Sequence, residues 1–501
     1  MTGNVEKAHD PGQKGKQMKQ YKTDVAIVGG GPAGLAAAIS AAESGTDVIL
    51  LEKTSLTGGA SNMGMGPFAA GTRIQKKNMV GLDVDQAYRI FMDYTHYRTD
   101  ARLVRKYIDK SADTIEWLQD MGVEFVGVMK YFPDSQASWH VVKPEEGPPG
   151  PRCASTMIKR MTERADELGV RILYETPACE IIMKEGRAAG VKADEASGEE
   201  VEITADAVII STGGYGNNPE MVEDLLGYKL DVDFFPHRIP GIVGDGIKMA
   251  WAAGAGRSDM NMEITGKIHG LHESPMSDQL FRQPSSICVD LRGYRVFDEA
   301  VMENTTYLGN AVARLKNRCA FSIIDSNILK KWIKKGLDLP GPGPELDIRQ
   351  AEKELNRMID EDGLDTVFSA DSLEELAEKI GLDKETFITT VEEYNEDAGN
   401  NIDTVFGKEH KYLTELKGPR YYAGRFNPSA YGSLGGIMID HETRVLTDEW
   451  EIIPGLYSAG TDACSIYGDS YVFYLPGNTM GFCLNSGRIA GENAADYVLG
   501  E

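Results

Sequence analysis

The stretch that decides the fold is Asp24-Val-Ala-Ile-Val-Gly-Gly-Gly-Pro-Ala-Gly34, in which a short apolar run meets a glycine-rich turn. Such a run of β-branched residues is typical of a strand buried in a parallel sheet. The small residues from Leu35 to Ser44 predict a helix that Gly45 ends, and Asp47-Val-Ile-Leu-Leu-Glu52 predicts a second strand. The stretch therefore predicts a βαβ unit that opens a Rossmann-like α/β domain.

Three glycines of this turn have the spacing of a dinucleotide-binding fingerprint, Gly29-x-Gly31-x-x-Gly34. The first allows the tight turn, the second lets the backbone approach a pyrophosphate, and the third lets helix and strand pack closely. The helix N-terminus offers N–H donors and a partial positive charge to phosphates. Glu52 follows Gly34 by eighteen residues, at the end of the second strand, where a carboxylate accepts from ribose hydroxyls. This context predicts a dinucleotide site and disfavours a 2′-phosphate.

The segment after Glu52 decides between FAD and NAD. Leu56-Thr-Gly-Gly-Ala-Ser-Asn-Met-Gly-Met-Gly66 is a second glycine-rich stretch with small polar residues. A long loop there suits a ligand that continues past the pyrophosphate into a ribityl chain and a wide ring. The residues therefore favour FAD.

Composition excludes several other classes of protein. The chain has 501 residues, of which 42% are hydrophobic and 26% charged, as in ordinary globular proteins. A formal charge of −25 at pH 7 argues against partners such as nucleic acid or anionic membrane surfaces. The six cysteines form no CxxC pair, so no local zinc or iron–sulfur motif is expected. With no apolar span or secretory signal in the sequence, we predict a cytoplasmic protein without membrane insertion.

The chain changes character twice, which predicts one nucleotide-binding domain in two pieces. Residues 1–20 predict a disordered tail, and residues 21–262 the first part of the FAD-binding domain. Residues 263–427 predict an inserted α+β capping domain that holds substrate, with an acidic helical stretch from Glu345 to Asp397. Residues 428–501 predict the second part of the FAD-binding domain, because they return to glycine-rich turns, strands and a closing helix.

The ordered set of motifs resembles the FAD-dependent flavoproteins related to fumarate reductase, urocanate reductase and the 3-ketosteroid dehydrogenases. Besides the motifs above, the similarity includes Ser211-Thr-Gly-Gly-Tyr-Gly-Asn217, Ile453-Pro-Gly-Leu-Tyr-Ser-Ala-Gly460 and Gly477-Asn478. It extends over nearly all of residues 21–498 and implies a flavin at the interface of the two domains.

The resemblance also implies which residues contact the cofactor. The implied FAD-binding residues are Gly29, Gly31, Pro32, Ala33, Gly34, Glu52, Lys53, Gly58, Gly59, Ala60, Ser61, Gly64, Gly66, Cys179, Thr212, Gly213, Gly214, Asp245, Gly460, Thr461, Asn478, Thr479 and Met480. Some relatives attach FAD through a histidine in the region of Gly58 to Gly66. This chain has no histidine there, so non-covalent FAD is expected, and no metal site.

Departures from the fumarate reductases point to candidate catalytic residues. Those relatives hold a dicarboxylate and donate a proton with arginines and a histidine. At the matching positions this chain has Tyr474, Glu303, and either Tyr431 or Gly432. A fumarate dianion would lose its charge-assisted partners and face a carboxylate, so fumarate reduction is not expected.

Tyrosines at those positions are favoured by the ketosteroid-type relatives. A phenol and a backbone N–H together can hydrogen-bond a ketone oxygen and stabilise an enolate. We expect Tyr474 to do this with the N–H of Gly477 or Asn478. Tyr431 is the candidate proton relay, and Glu303 is a second one.

One alternative concerns the identity of that phenol. The loop from Gly460 to Tyr474 is about three residues longer than in the relatives, by alignment at the flanking motifs. Tyr467 or Tyr471 could therefore take the place of Tyr474.

The sequence thus predicts an FAD-dependent oxidoreductase that reduces or introduces a carbon–carbon double bond next to a carbonyl. The expected substrate is a bulky, mostly apolar enone such as a 3-oxosteroid. One alternative is a reductase of an unsaturated carboxylate (fumarate, urocanate or acrylate type) with a rearranged clamp of Arg282, Arg292 or Arg295. Another is a flavoprotein electron-transfer subunit. The sequence encodes no second dinucleotide fingerprint, so a separate electron donor or acceptor is expected as a partner.

Overall fold

A computed structural model describes residues 18–195, 198–268, 275–339, 346–361 and 366–500. The strands are β1 (Met18–Lys22), β2 (Val25–Val28), β3 (Val48–Leu51), β4 (Phe125–Met129), β5 (Trp139–Val142), β6 (Arg171–Leu173), β7 (Ala178–Lys184), β8 (Arg187–Asp194), β9 (Glu200–Thr204), β10 (Ala207–Ile210), β11 (Asn261–Ile268), β12 (Ile287–Val289), β13 (Ala320–Asp325), β14 (Val367–Ala370), β15 (Tyr421–Gly436), β16 (Arg444–Leu446), β17 (Ile452–Ser458) and β18 (Ala463–Cys464).

Fourteen α-helices lie in the same described ranges. They are α1 (Pro32–Glu43), α2 (Arg73–Lys77), α3 (Val84–Tyr94), α4 (Ala101–Asp120), α5 (Ala154–Glu167), α6 (Pro219–Leu226), α7 (Asp245–Ala252), α8 (Pro275–Phe281), α9 (Thr305–Ala313), α10 (Ser326–Lys335), α11 (Ala351–Glu361), α12 (Leu373–Ile380), α13 (Lys384–Gly399) and α14 (Asn478–Leu499). Within the described chain, none of them is long and apolar enough to cross a membrane.

The central sheet has the strand order β16-β17-β10-β2-β3-β6. Its inner strands run parallel, and every residue of β2, β3 and β10 is buried. Helices α1, α5 and α14 cover one face of the sheet, and the strands β7, β8 and β9 pack on the other. Helix α14 packs on α1 through glycines: a Cβ at Gly487 would lie 2.2 Å from the carbonyl oxygen of Ala33. The predicted βαβ unit and α/β class are confirmed.

The prediction of a disordered tail over residues 1–20 is wrong at its end. Met18–Gln20 belong to β1, which pairs in parallel with β9 at the edge of the sheet β1-β9-β8-β7. The strand is polar because it is an edge strand with alternate residues exposed, so composition alone suggests disorder. Residues 1–17 lie outside the described residues.

The middle of the chain has a sheet and a core of its own. Strands β11, β15, β13 and β12 form the sheet, with β14 pairing to β15. The buried residues between Ile268 and Phe426 make one hydrophobic cluster that is separate from those of the central sheet. This supports the proposed capping domain. Strand β15 runs through the predicted boundary at residue 427 and pairs with β18, so the two parts share a continuous strand.

The acidic stretch from Glu345 to Asp397 contains three helices, α11, α12 and α13, with β14 between the first two. Residues 362–365 and Glu345 itself lie outside the described residues. Outside the strands of the middle segment, Arg295 makes an isolated bridge with Val289.

Candidate active site

The fingerprint turn contains two glycines that packing requires and one that it does not. Gly29 has a φ of +104°, and a Cβ at Gly34 would lie 1.8 Å from the Gly29 carbonyl oxygen. Gly31, the N-cap of α1, has an ordinary φ of −71°, and a Cβ there would meet nothing within 4 Å. Pro32 and Ala33 then begin the helix. Open space in front of a helix N-terminus is what a pyrophosphate needs, so the turn fits a dinucleotide.

Glu52 is fixed at the end of β3 beside this turn. Its buried carboxylate accepts the Gly30 N–H at 2.8 Å, and the N–H and hydroxyl of Thr54, each at 2.8 Å. A carboxylate has about four acceptor positions, so capacity remains for a ribose hydroxyl. The next residue, Lys53, forms an ion pair with Asp245 at 2.6 Å, which ties the strand end to α7.

The second glycine-rich segment lies between the fingerprint turn and α14. The Gly58 N–H donates to the Gly30 carbonyl at 2.8 Å, and residues Gly59–Met63 form a short 3-10 helix containing Ala60 and Ser61. A Cβ at Gly64 would lie 2.6 Å from Met480 Cε, and one at Gly66 would lie 1.9 Å from the His140 carbonyl oxygen. The segment therefore connects two regions that the sequence predicts to hold the cofactor.

Asp462 holds two further segments of the predicted cofactor site together by hydrogen bonds. The sequence did not predict this residue. Its buried carboxylate accepts the Gly214 N–H at 2.8 Å and both the N–H and hydroxyl of Thr212. Burial raises the pKa of this carboxyl. Because Asp462 directly follows the predicted pair Gly460–Thr461, those residues and Thr212 to Gly214 lie together.

Cys179 is the implied cofactor residue with the least support. It lies on β7 of the four-stranded sheet, where its thiol donates to the Lys192 carbonyl at 3.5 Å. Three residues earlier, the Thr176 N–H donates to the Glu52 carbonyl oxygen at 3.0 Å. The chain leading to Cys179 thus passes the strand end, while its side chain is engaged in the sheet.

The start of α14 holds a buried donor that lacks an acceptor. The Asn478 Oδ1 accepts from the hydroxyls of Tyr107 at 2.7 Å and Tyr467 at 3.2 Å. The Asn478 Nδ2 is buried and has no hydrogen-bond partner within the described chain. A buried amide donor without an acceptor is costly, and a polar cofactor atom would satisfy it. Together with the open space at Gly31, this donor fits FAD.

The carboxyl of Glu263 also lies at the start of α14, and it is a site residue that the sequence did not predict. Glu263, on β11, accepts from the Thr479 hydroxyl at 2.9 Å, and Tyr471 is a second hydrogen-bonding neighbour. The Thr479 N–H donates to the Tyr471 hydroxyl oxygen at 3.2 Å. Burial raises the pKa of Glu263 to about 8. The available signal was an acid between two apolar residues, Met262 and Ile264, in a mostly buried strand.

Tyr474 stands in an aromatic cluster. Its ring contacts those of Phe132, Tyr94 and Tyr307 at centroid distances of 5.4, 5.7 and 6.2 Å. Burial and the neighbouring carboxylates of Asp134 and Glu303 raise the pKa of Tyr474. Its hydroxyl makes no hydrogen bond to any residue that the structure describes.

The two alternative tyrosines differ from Tyr474 in this respect. The Tyr467 hydroxyl donates to Asn478, and the Tyr471 hydroxyl is engaged by Thr479 and Glu263. Both rings are fully or almost fully buried. Their hydroxyls thus already form hydrogen bonds within the protein, which favours Tyr474 as the phenol available to a substrate.

Glu303 lies near Tyr474, as its assignment to the same site requires. Its carboxyl accepts the backbone N–H of Asp134, and its Oε1 is buried and otherwise unpartnered among the residues described. Burial and the Asp134 carboxylate raise the pKa of Glu303. The acid thus borders the aromatic cluster from the predicted capping domain.

Tyr431 lies on β15 at the other side of the cluster. Its side chain is 41% exposed, its ring stacks on His237 at 5.3 Å, and its hydroxyl lies 3.4 Å from the Tyr131 hydroxyl. Tyr131 in turn packs on Phe473 at 4.3 Å, one residue before Tyr474. The two predicted catalytic tyrosines therefore border one aromatic cluster.

The arginines that would bind a carboxylate substrate in the alternative function all form ion pairs with acidic residues of the protein. Arg295 is buried in the core of the middle segment, where it binds Glu299 at 2.8 Å and Asp403 at 2.9 Å. Arg292 is exposed and binds Asp290 at 2.6 Å. The proposed clamp is therefore wrong for these two residues, because neither cation is directed to the tyrosines.

Arg282 is the remaining clamp residue. It binds Asp278 at 2.6 Å, and its charge acts on Tyr131 and Tyr431. The carboxylate partner leaves this pair without net charge. A single neutralised cation is a weak partner for a dianion.

Comparisons with known proteins show which family the chain is similar to. A family model described as an FAD binding domain matches residues 24–479. Vinyl phenol reductase from Lactiplantibacillus plantarum is 33% identical over 496 residues, which cover 96% of this chain and 98% of that protein. NADH:fumarate oxidoreductase from Klebsiella pneumoniae is 28% identical over 95% of this chain, but the chain spans only 48% of that protein.

A solved structure shares the fold over nearly the whole chain. It is 3-ketosteroid-delta4-(5alpha)-dehydrogenase from Rhodococcus jostii RHA1 in complex with 4-androstene-3,17-dione. The TM-score is 0.75 at 24% sequence identity, and the match covers 95% of this chain and 97% of that one.

Proposed function

The chain belongs to the FAD binding domain family and is an FAD-dependent oxidoreductase acting on unsaturated carbon–carbon bonds, and from this premise we propose its substrate class. The proposed substrate is a flat, uncharged molecule whose double bond is conjugated to a carbonyl, as in a 3-oxosteroid-like enone. The reaction is reduction of that bond or its reverse.

The observation that carries the proposal is the unengaged hydroxyl of Tyr474 in an aromatic cluster. Flat apolar rings pack favourably against such a cluster, and a phenol donates to a neutral ketone oxygen. The cations that a dicarboxylate would need are paired with acids, as in Arg282 with Asp278. The carboxyl of Glu303 beside Tyr474 also disfavours an anion.

In this proposal the cofactor and two tyrosines have different roles. When bound, FAD would supply the hydride-transfer chemistry at the carbon β to the carbonyl. Tyr474, with the N–H of Gly477 or Asn478, stabilises the charge that develops on the ketone oxygen. Tyr431 relays a proton, and its exposure connects it to solvent.

A second candidate substrate is a vinyl phenol. It is favoured by the relative that is 33% identical over almost the full length of both chains. A vinyl phenol is also flat and uncharged at neutral pH, since a phenol has a pKa of about 10. Its oxygen would use the same hydrogen-bonding position.

Turnover by the purified FAD-loaded protein with reduced viologen tests the proposal. Four substrates are compared: a 3-oxo-4-ene steroid, 4-vinylphenol, an aryl acrylate and fumarate. Turnover of the steroid without turnover of fumarate supports the enone, and turnover of 4-vinylphenol alone selects the second candidate. Turnover of fumarate alone overturns both. An electron-transfer subunit would turn over none of the four and would need a partner chain.

The source of electrons and the location are part of the same proposal. We propose a separate reduced donor, because this chain has one dinucleotide fingerprint. We also propose a cytoplasmic location, which suits a chain whose six cysteines are all free. Reduction of the bound FAD by NADH alone, measured as bleaching of the flavin absorption, would contradict a requirement for another donor.

A further inference from the structure

Reduction of a carbon–carbon double bond consumes one hydride and one proton, and the proton needs a source in the site. We propose that Glu263 is the proton store of this site and exchanges its proton through the Tyr471 and Thr479 hydroxyls at the start of α14. The inference deepens the proposed function and rests on it for its catalytic meaning. Glu263 acts through these hydroxyls, so it is a positioning and proton-holding residue.

The position of the carboxyl between two predicted parts of the site is the first argument. Its Oε1 accepts from Thr479, a predicted cofactor residue, at 2.9 Å. On its other side, Oε2 lies 3.6 Å from the position of a Cβ at Gly432, the residue after Tyr431. The carboxyl thus contacts both the helix start and the strand that carries the predicted relay.

The surroundings of Glu263 are the second argument. The titratable groups that face it are Tyr467 and Tyr471 from the loop before α14, Cys464 from β18, and Cys483 from α14. Burial raises the pKa of each of these groups, so all are neutral at pH 7. No cation in the described ranges pairs with Glu263. A buried carboxyl without a counterion holds its proton, because burial disfavours the charged form.

The choice of residue is the third argument. A glutamine would accept the same hydrogen bonds from Thr479 and Tyr471 without any ionisable group. A glutamate therefore adds only the capacity to bind and release a proton. In the forward reaction, the carbon β to the carbonyl would gain a hydride, which bound FAD would supply, and the α carbon would gain a proton that comes from Glu263. Glu263 would then be a carboxylate until solvent returns its proton.

The hydroxyls of Tyr471 and Thr479 are the first groups that can take up a proton from Glu263. The Tyr471 hydroxyl accepts the Thr479 N–H at 3.2 Å and lies against the carboxyl, while its ring packs on Phe473 at 5.6 Å. Phe473 also contacts Tyr131 and Tyr431. A proton released at Glu263 therefore starts next to the aromatic cluster in which the substrate is proposed to bind.

The test uses the holoenzyme without substrate and compares the wild type with Glu263→Gln. The midpoint potential of bound FAD is measured against pH by equilibration with a reference dye. Around the pKa of Glu263, the midpoint potential should fall more steeply with pH in the wild type than in Glu263→Gln, because reduction of the wild type then takes up one extra proton. The difference should reach about tenfold in the reduction equilibrium per pH unit. Tyr471→Phe should still show part of the steeper pH dependence of the wild type, since it retains the carboxyl of Glu263. Glu124→Gln, at an exposed ion pair with Lys143, is the matched control and should follow the wild type.

A second measurement is needed in case Glu263→Gln folds poorly or binds the cofactor weakly. Infrared spectroscopy of the holoenzyme at neutral pH should show a protonated carboxyl band that Glu263→Gln lacks. Parallel potential curves, or an unchanged carboxyl band, would overturn the proton store. Neither measurement involves a substrate. A failure of the proposed enone activity can therefore be distinguished from a failure of the proton store.

Discussion

The hydroxyl oxygens of Tyr131 and Tyr431 lie 3.4 Å apart, which joins the loop between β4 and β5 to the long strand β15. Tyr431 also stacks on His237, and Tyr131 packs on Phe473. This distance is at the long end for a hydrogen bond between two hydroxyls, and the exposure of Tyr431 gives the pair access to water. The pair thus links solvent with the cluster around Tyr474.

Replacing Tyr431 by phenylalanine should lower kcat and leave KM and folding nearly unchanged. Loss of a positioned proton-transfer group costs about 10²–10⁴-fold in rate. The ring and its stacking on His237 are retained, so stability should not change. Steady-state kinetics with the active substrate and thermal unfolding measure both effects.

Tyr131→Phe is the matched control for this variant, because it removes the other hydroxyl of the same pair. It should have a smaller effect on kcat if Tyr431 is the relay. An equal or larger loss in Tyr131→Phe would transfer the role to Tyr131.

Tyr474→Phe should remove the hydrogen bond to the substrate oxygen. Loss of one oxyanion-type donor costs about 10²–10³-fold in kcat. Tyr307→Phe, from the same aromatic cluster, serves as the comparison, because Tyr307 hydrogen-bonds Tyr94. If both variants lose activity equally, the effect comes from packing of the cluster and Tyr474 has no special role.

Gly31→Ala should weaken FAD binding without unfolding the protein. A Cβ at Gly31 meets no protein atom and the φ of −71° suits alanine, so the added methyl group would occupy only the space proposed for the pyrophosphate. Gly81→Ala is a matched control, since Gly81 also lies in open space and has no left-handed φ. Fluorescence titration with FAD should detect weaker binding in the first variant only, and equal affinities would remove the pyrophosphate from this turn.

The central sheet and the fingerprint turn could be predicted because their signals are local. An apolar strand, three spaced glycines and a terminal acid lie within thirty residues of one another, from Val25 to Glu52. Asp462 and Glu263 could not be predicted, because their roles come from partners far along the chain, Thr212 and Thr479. For the same reason the sequence could not separate Tyr474 from Tyr467 and Tyr471: only the three-dimensional contacts distinguish engaged from unengaged hydroxyls.

Arg295→Met tests whether this arginine has a structural role or binds substrate. Arg295 and Lys408 together neutralise the buried acids Glu299 and Asp403. Removing one partner of a buried pair costs about 3–5 kcal/mol, because a buried charge is left uncompensated. Denaturant unfolding should show this loss, whereas Arg349→Met, at an ion pair whose two side chains are both exposed, should cost about 0–1 kcal/mol. A stable Arg295→Met protein with a raised KM for a carboxylate would restore the clamp.

The pH dependence of stability should reveal the contact between Glu303 and Asp134. The folded-state pKa of Glu303 is raised by burial and by the Asp134 carboxylate, so between the unfolded and folded pKa values the folded protein binds the extra proton. Stability therefore falls as pH rises through this window, since the unfolded state binds fewer protons there. Glu303→Gln should flatten the fall, and Asp134→Asn should reduce it by removing the repulsion. Thermal unfolding at a series of pH values measures the curves, and curves that stay parallel in all three proteins would mean that the two carboxyls do not interact.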